Sequence, residues 1–314
     1  MAALIEAAGG KGIRVTPKQI ARWRSEDVLP PPISRGRGRG RGVARSYDDA
    51  TLQQLVAVTS ILKRYRSIDY AAFRLWVRGY AIPLDRVRRA LGKLVLKAYA
   101  RARELPTDSL ESEVFRTEEK MVNRRVAPRQ TRKMAREGRL APMFTVMLQL
   151  VRGGGPVPEE QRKRFVRDFN EVASLDKARA GEPSHGIPGW LSGDAADEIL
   201  ESMAIAPQIP ETVRSLTDEE MFNNRELFRR FERIAILFQF IQKATGDEAA
   251  LGTALLTRSM IGLDIDEMGP GMFAALATLQ RAKPEFAGKV GEMSASVDAT
   301  LQTFREHGIE LPQF

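Results

Sequence analysis

Residues 16–26 read Thr16-Pro17-Lys18-Gln19-Ile20-Ala21-Arg22-Trp23-Arg24-Ser25-Glu26, and this stretch decides how the N-terminal part of the chain is interpreted. Thr16 is a helix-capping residue type, and Pro17 suits a first helical turn, where its missing N–H has no partner to lose. Ile20 and Trp23 share one face at three-residue spacing, which leaves Lys18, Gln19, Arg22 and Arg24 for the other faces. The pattern predicts a short basic helix whose Ile20 and Trp23 join a core together with Leu29. Pro30-Pro31-Pro32 ends it and redirects the chain.

Before this helix lies a loose segment with Gly9, Gly10 and Gly12, and it lacks the cationic region and apolar run of a secretory signal. After it, Ser34-Arg35-Gly36-Arg37-Gly38-Arg39-Gly40-Arg41-Gly42 alternates Arg and Gly. Such a run has nothing to fill a core with and predicts a cationic loop. Order returns at Tyr47-Asp48-Asp49, behind which Leu52, Leu55, Val56, Ile61 and Leu62 recur at helical spacing up to Lys63-Arg64-Tyr65-Arg66. A second helical piece, about residues 69–78, carries Phe73 and Trp76. A third begins after Pro83 and runs towards Arg103, with Val87, Leu91, Leu94 and Val95 on one face and Arg86, Arg88, Arg89, Lys93 and Lys97 on others. That apolar stripe serves either as a dimer seam or as a surface packed on its own domain. The sustained heptads of a coiled coil are absent.

Charge supports a division of the chain. The 314 residues carry 49 Lys+Arg and 40 Asp+Glu, a net +9. Residues 1–150 hold 31 basic against 14 acidic residues, net +17, and residues 151–314 hold 18 against 26, net −8. A basic N-terminal half joined to an acidic C-terminal half fits a nucleic-acid reader with a separate non-binding domain; a solvated basic face is the plain alternative. The 43% hydrophobic content excludes disorder of the whole. With no cysteine in the sequence, disulfides, thiolate metal sites and cysteine nucleophiles are ruled out. No apolar run is long enough for a membrane span, and a cytoplasmic location is expected.

The rest of the chain reads as helix. Residues 105–138 form a charged connector with a basic run from Arg124 to Arg139, and Met143-Phe144-Thr145-Val146-Met147-Leu148 restores apolar density. Gly153-Gly154-Gly155-Pro156 and residues 181–193 are breaks. Thr217 followed by Glu220 is a capping-box signature that opens a long helix with Phe228, Phe231, Ile234, Leu237, Phe238 and Ile241 in one stripe. Gly246-Asp247, Gly269-Pro270 and Lys283-Pro284 restart three further helices, the last ending near Gly308. Met143, Met147, Trp190, Phe228, Phe231 and Phe238 either line an apolar effector pocket or form core. The expected fold class is mainly α, with a winged helix-turn-helix over 1–82, a linking or dimerisation helix and charged connector over 83–140, and an α-helical regulatory or oligomerisation domain over 141–314.

A short capped basic helix, a cationic loop and then further helices is the order of a winged helix-turn-helix. Residues 15–30 resemble the DNA-reading helix of the MerR family of bacterial regulators, whose pattern runs Val-Ser-x-x-Thr-Leu-Arg-Tyr-Tyr-Glu-x-x-Gly-Leu-Leu-x-Pro. Val15, Thr16, Ile20, Trp23, Glu26, Val28 and Leu29 fall in or near register, and Ala44-Arg45-Ser46-Tyr47 keeps the Arg and second Tyr of the family's wing. The resemblance covers residues 1–105, and excisionase-like proteins share the module. Departures are Ala21-Arg22 for the family's Arg-Tyr, Arg24 for its Glu, Asp27 for its turn Gly, and a longer, Arg-Gly-rich wing, so base preference is not carried over.

The resemblance implies DNA contacts from Lys18, Arg22 and Arg45, with Tyr47 at the phosphate-contacting position of the wing. Helical geometry adds Gln19, which can pair with adenine edges, and Arg24, and the capping Thr16 is counted with them. Arg35, Arg37, Arg39 and Arg41 are expected on the DNA backbone. The resemblance further implies a homodimer on a near-palindromic site in double-stranded DNA, RNA polymerase as a partner, and an effector or protein partner that alters transcription. The alternative is a nonspecific architectural or RNA-binding protein using the Arg-Gly loop, although residues 34–45 lack the interleaved aromatics that stack on single strands.

No enzyme is expected, and no cofactor or metal. His185 and His307 are isolated in sequence, and Asp264-Ile265-Asp266-Glu267 reads as a solvated turn before Gly269-Pro270. No phosphate-binding loop, nucleophile elbow or paired-histidine zinc motif occurs.

Overall fold

The computed structural model describes residues 1–36, 43–104, 157–172, 204–245 and 269–306, with a few residues between 137 and 153 and residues 200 and 201. The described chain is mainly helical and divides into two compact units, Met1–Lys97 and Ala98–Phe314.

The first unit opens with α1 (Ala2–Gly10), which buries Leu4 and Ala8. From sequence this stretch reads as a loose segment, because an Ala- and Gly-rich run shows neither a cap nor a wide apolar stripe. Helix α2 (Pro17–Ser25) follows, with Ile20 fully buried and Trp23 6% exposed. Thr16 and Gln19 form a reciprocal capping box at its start. Behind α2, Asp27 stands at φ +55°, and Val28 and Leu29 turn inward to buried positions, their N–H groups both donating to the Trp23 carbonyl.

Strands β1 (Ile33–Gly36) and β2 (Val43–Ser46) make an antiparallel hairpin pairing Ile33 with Ser46 and Gly36 with Val43. Ser34, Arg35 and Gly36, assigned from sequence to the loop, therefore lie in a strand. A backbone ladder between two short segments needs no alternation of side chains, so the Arg-Gly pattern did not reveal it. Helix α3 (Asp49–Tyr65) is capped by Asp48, whose carboxylate accepts from the Thr51 N–H and hydroxyl at 2.8 and 2.6 Å. These bonds, the hydroxyl first, hold the Asp48 carboxyl below its ordinary pKa. Helix α4 (Ile68–Val77) is capped by Ser67, and α5 (Leu84–Leu91) runs through one π turn (Gly92–Leu96) into α6 (Lys97–Glu104). That continuity matches the single helix read after Pro83.

Helix α1 packs on α3, α3 on α4, and α4 on α5. Phe73, Leu75, Trp76, Leu55 and Val58 form the centre of this core, each withdrawing apolar surface worth about 2 kcal/mol. Val87, Leu91 and Val95 are buried among them at 0–3% exposure. Of the two uses the sequence allowed for that stripe, the fold takes the second: it packs on its own domain.

In the second unit, α7 (Glu159–Val172) buries Phe165. A 3₁₀ turn (Ala206–Gln208) leads into α8 (Ile209–Ser215), followed by α9 (Asp218–Thr245), α10 (Gly269–Ala282) and α11 (Glu285–Glu306). The capping box read at Thr217 and Glu220 is formed: the Thr217 N–H donates to Glu220 Oε2 (2.8 Å), and the Glu220 N–H donates to Thr217 Oγ1 (3.2 Å). Helix α9 packs against α10 and α11, and α8 against α10. Phe228 and Phe273 meet edge to face, ring centres 6.1 Å apart, and Met221, Ile234, Leu276 and Val290 are buried in the same unit. Phe228 is core, as one of the two sequence readings held.

Arg281 locks three elements of this unit together. Its guanidinium donates twice to the Glu220 carboxylate (2.7 Å each) and to the Ser215 hydroxyl and carbonyl (2.8 and 3.0 Å). The fork-shaped pairing with Arg281, ahead of the Thr217 bonds, lowers the Glu220 pKa to about 2. The helix expected over 246–261, the 181–193 break, the charged connector, His185, His307, Asp264, Asp266, Glu267, Met143, Met147 and Trp190 lie outside the described residues.

Candidate nucleic-acid interface

The site is built on α2. Its position follows from its two ends. At the start, the Thr16 N–H and hydroxyl both donate to Gln19 Oε1 (2.8 and 3.1 Å), and the Gln19 N–H donates back to Thr16 Oγ1 (3.2 Å). At the far end, two buried polar side chains from later helices seize the backbone of the turn. Gln54 of α3 donates from Nε2 to the Val28 carbonyl at 3.0 Å. Arg86 of α5, 2% exposed, donates from Nε to the Glu26 carbonyl at 2.8 Å and from a terminal nitrogen to Asp69 Oδ1 at 2.8 Å. Its other terminal nitrogen lies 3.5 Å from the Glu26 carboxylate. The helix is thus fixed from behind by charge-assisted hydrogen bonds, which hold geometry more tightly than apolar contact alone.

This arrangement sorts the charges of the first unit. Met1–Lys97 contains 20 Lys+Arg and 7 Asp+Glu, net +13. Its acids are drawn to α5 and the π turn: Asp69 to Arg86 and Lys93, Glu26 to Arg86, Asp27 to Arg89, Asp85 to Arg88. Asp48 is engaged as a cap. Among the described residues, Arg14, Lys18, Arg22 and Arg24 make no ion pair. Lys18 and Arg22 are exposed, and Arg24 is half-buried with its Nε enclosed and without a hydrogen-bond partner. Exposed cations without an ion pair therefore stand on α2 and the segment before it, as they do at Lys63, Arg66 and Arg78.

The other residues singled out from sequence are placed as follows. Thr16 and Gln19 are exposed but serve each other as cap partners. Arg35 and Arg45 lie in the hairpin, Arg35 opposite Ala44 and Arg45 opposite Ser34. Tyr47 is half-buried immediately after β2. Arg37, Arg39 and Arg41 lie outside the described residues. Trp23 is core, as read.

Sequence reasoning missed Gln54 and Arg86. Both bond to backbone far away in the chain, and the only local sign was a polar or charged residue set among apolar helix positions. Among the described residues no group of three or more His, Cys, Asp or Glu is placed to hold a metal ion, and no helix is long and apolar enough to cross a membrane. Compared with known protein families, with proteins of curated function and with solved structures, the chain shows no match.

Proposed function

We propose that residues 1–82, within the unit Met1–Lys97, are a MerR-like winged helix-turn-helix that binds double-stranded DNA sequence-specifically, and that the chain is a transcription regulator whose helical second unit serves an effector, a partner or oligomerisation. The observation that carries this reading is the state of α2. It is a helix held at both ends with exposed, unpaired Lys18 and Arg22, in a unit of net +13 where Glu26, Asp27, Asp48, Asp69 and Asp85 are engaged by other groups. A single α-helix fits the major groove, about 12 Å wide. Two further observations support it. The order α2, hairpin, α3, α4 is that of the resemblance, and Asp27 adopts φ +55° where the family has its turn glycine, so the turn survives the change of residue.

The hairpin plays the wing, with Arg45 beside the duplex backbone and Tyr47 at the phosphate. The proposed homodimer uses a surface other than the Val87, Leu91, Val95 stripe, which is buried within the unit. RNA polymerase and an effector belong to the same proposal.

The test is binding of a duplex recovered by selection, compared between the unaltered chain and Arg22→Ala and Arg45→Ala. Each substitution is expected to weaken binding by roughly tenfold or more, from about 1–3 kcal/mol per contact, with unchanged thermal stability. Unchanged affinity in both variants would remove the assignment of helix and wing. Replacing Arg35, Arg37, Arg39 and Arg41 by Gln should flatten the salt dependence by about 0.9 in log–log slope for each phosphate that is no longer neutralised. Retention of the slope with altered sequence preference would instead make the loop a base reader.

A further inference from the structure

With about 3.6 residues per turn, burial of Ile20 and Trp23 sends Lys18, Ala21, Arg22 and Ser25 to the opposite face of α2, and all four are exposed or half-exposed to solvent. Gln19 and Arg24 flank that face. The two charged side chains of the face are one-sided in their hydrogen bonding. Lys18 and Arg22 are donors only. Gln19 is the one side chain on the helix with the paired donor and acceptor that match adenine, and its Oε1 already accepts from the Thr16 N–H and hydroxyl. Both lone pairs of that oxygen are taken by the cap, so it has none left for the adenine N6 amine. Ser25 donates its hydroxyl proton to the Arg22 carbonyl at 2.8 Å, and Ala21 offers a methyl.

Resting on the duplex-binding reading above, we propose that α2 is a guanine reader. Arg22, with Lys18 one turn before it, donates to the N7 and O6 acceptors that guanine presents in the major groove, and Gln19 is a structural cap rather than an adenine reader. In the major groove, guanine shows two acceptors side by side, whereas adenine shows one acceptor and one donor. The Lys18 and Arg22 donors therefore meet no repelling hydrogen at guanine and meet the N6 amine at adenine. The specificity of the half-site is set by which donors remain after the fold has used Gln19 to start the helix.

The experiment uses the full chain and a duplex recovered by selection from random DNA. Guanines in each half-site are replaced by 7-deazaguanine, which lacks the N7 acceptor, and in a second duplex adenines are replaced by 7-deazaadenine. The expected result is roughly tenfold weaker binding of the 7-deazaguanine duplex and less than twofold change for the 7-deazaadenine duplex. The double variant Lys18→Ala with Arg22→Ala should bind the guanine and 7-deazaguanine duplexes equally, while Gln19→Glu, which keeps a capping oxygen, should retain the guanine preference. Sensitivity to 7-deazaadenine alone, or indifference to 7-deazaguanine, would overturn the guanine assignment and leave duplex reading intact. Recovery of no common duplex, or preference for single-stranded RNA, would overturn the duplex reading and the guanine assignment with it.

Discussion

The two units handle their charged residues in opposite ways. In Met1–Lys97 the acids are few and four of them pair with α5 or the π turn, so cations on and before α2, like Lys63, Arg66 and Arg78, are left without an ion pair. In Ala98–Phe314 the count is 29 Lys+Arg against 33 Asp+Glu. There, Lys163, Arg164, Arg167, Arg214, Arg225, Arg229, Arg281 and Lys283 each lie beside a carboxylate. The difference teaches that net charge identifies a binding surface poorly. What identifies it is which cations remain after the fold has used the others. Arg86 and Arg22 are the same residue type sixty-four positions apart, yet one is a buried strut and the other a solvent-facing donor.

That contrast breaks most visibly at Arg86. Arg86→Met removes the buried guanidinium and leaves the Glu26 carbonyl and Asp69 without it, at an expected loss of about 3 kcal/mol in the stability of the first unit. Urea denaturation of the variant checks this. A loss under 1 kcal/mol would mean that the turn behind α2 holds without its charged strut.

The corresponding strut of the second unit is smaller because it is more exposed. The Glu220 carboxyl, lowered from 4.5 to about 2 by Arg281, contributes stability that is complete above about pH 4.5 and declines as pH falls towards 2. Since Arg281 and Glu220 are 34% and 31% exposed, solvent screening reduces the contribution to about 1 kcal/mol. Thermal melts at pH 6 and pH 3 of the chain and of Glu220→Gln measure it: the variant should lose this part of the acid sensitivity. Equal acid sensitivity in both would place the effect on other carboxylates.

The smallest effect concerns backbone rather than charge. Arg66 ends α3 at φ +55°, a left-handed conformation that glycine adopts at no steric cost. Arg66→Gly should raise the stability of the first unit by about 0.5–1 kcal/mol. A loss instead would show that the Arg66 side chain contributes more than its backbone strain takes away.

How much of this was legible in the sequence depended on distance along the chain. The cap at Thr16 and the capping box at Thr217 with Glu220 are legible because a cap and the groups it bonds lie within three residues. The boundaries near Pro83, Gly269 and Pro284 were readable because Pro and Gly punctuate helices locally. Helix α1 was not, since Ala and Gly give no periodic signal and its burial rests on Leu4 and Ala8. Neither were the strands flanking the Arg-Gly run, whose order comes from a partner strand. At the site, the exposed Lys18 and Arg22 followed from the burial of Ile20 and Trp23. The sequence offers Gln19 as an adenine-pairing group, and the capping hydrogen bonds that occupy its oxygen are not visible beside that role. Gln54 and Arg86 act on backbone 26 and 60 residues away, and no local pattern encodes such a contact.

The central claim is that the unpaired face of α2, together with the hairpin, reads a duplex. It is tested most directly by incubating the purified chain with random duplex DNA at physiological salt and sequencing what is retained. The expected result is a shared motif arranged as a dyad, with half-sites separated by a whole number of helical turns of about 34–36 Å. Retention of unrelated sequences in proportion to their length would contradict it, leaving the cations of α2 as a nonspecific surface.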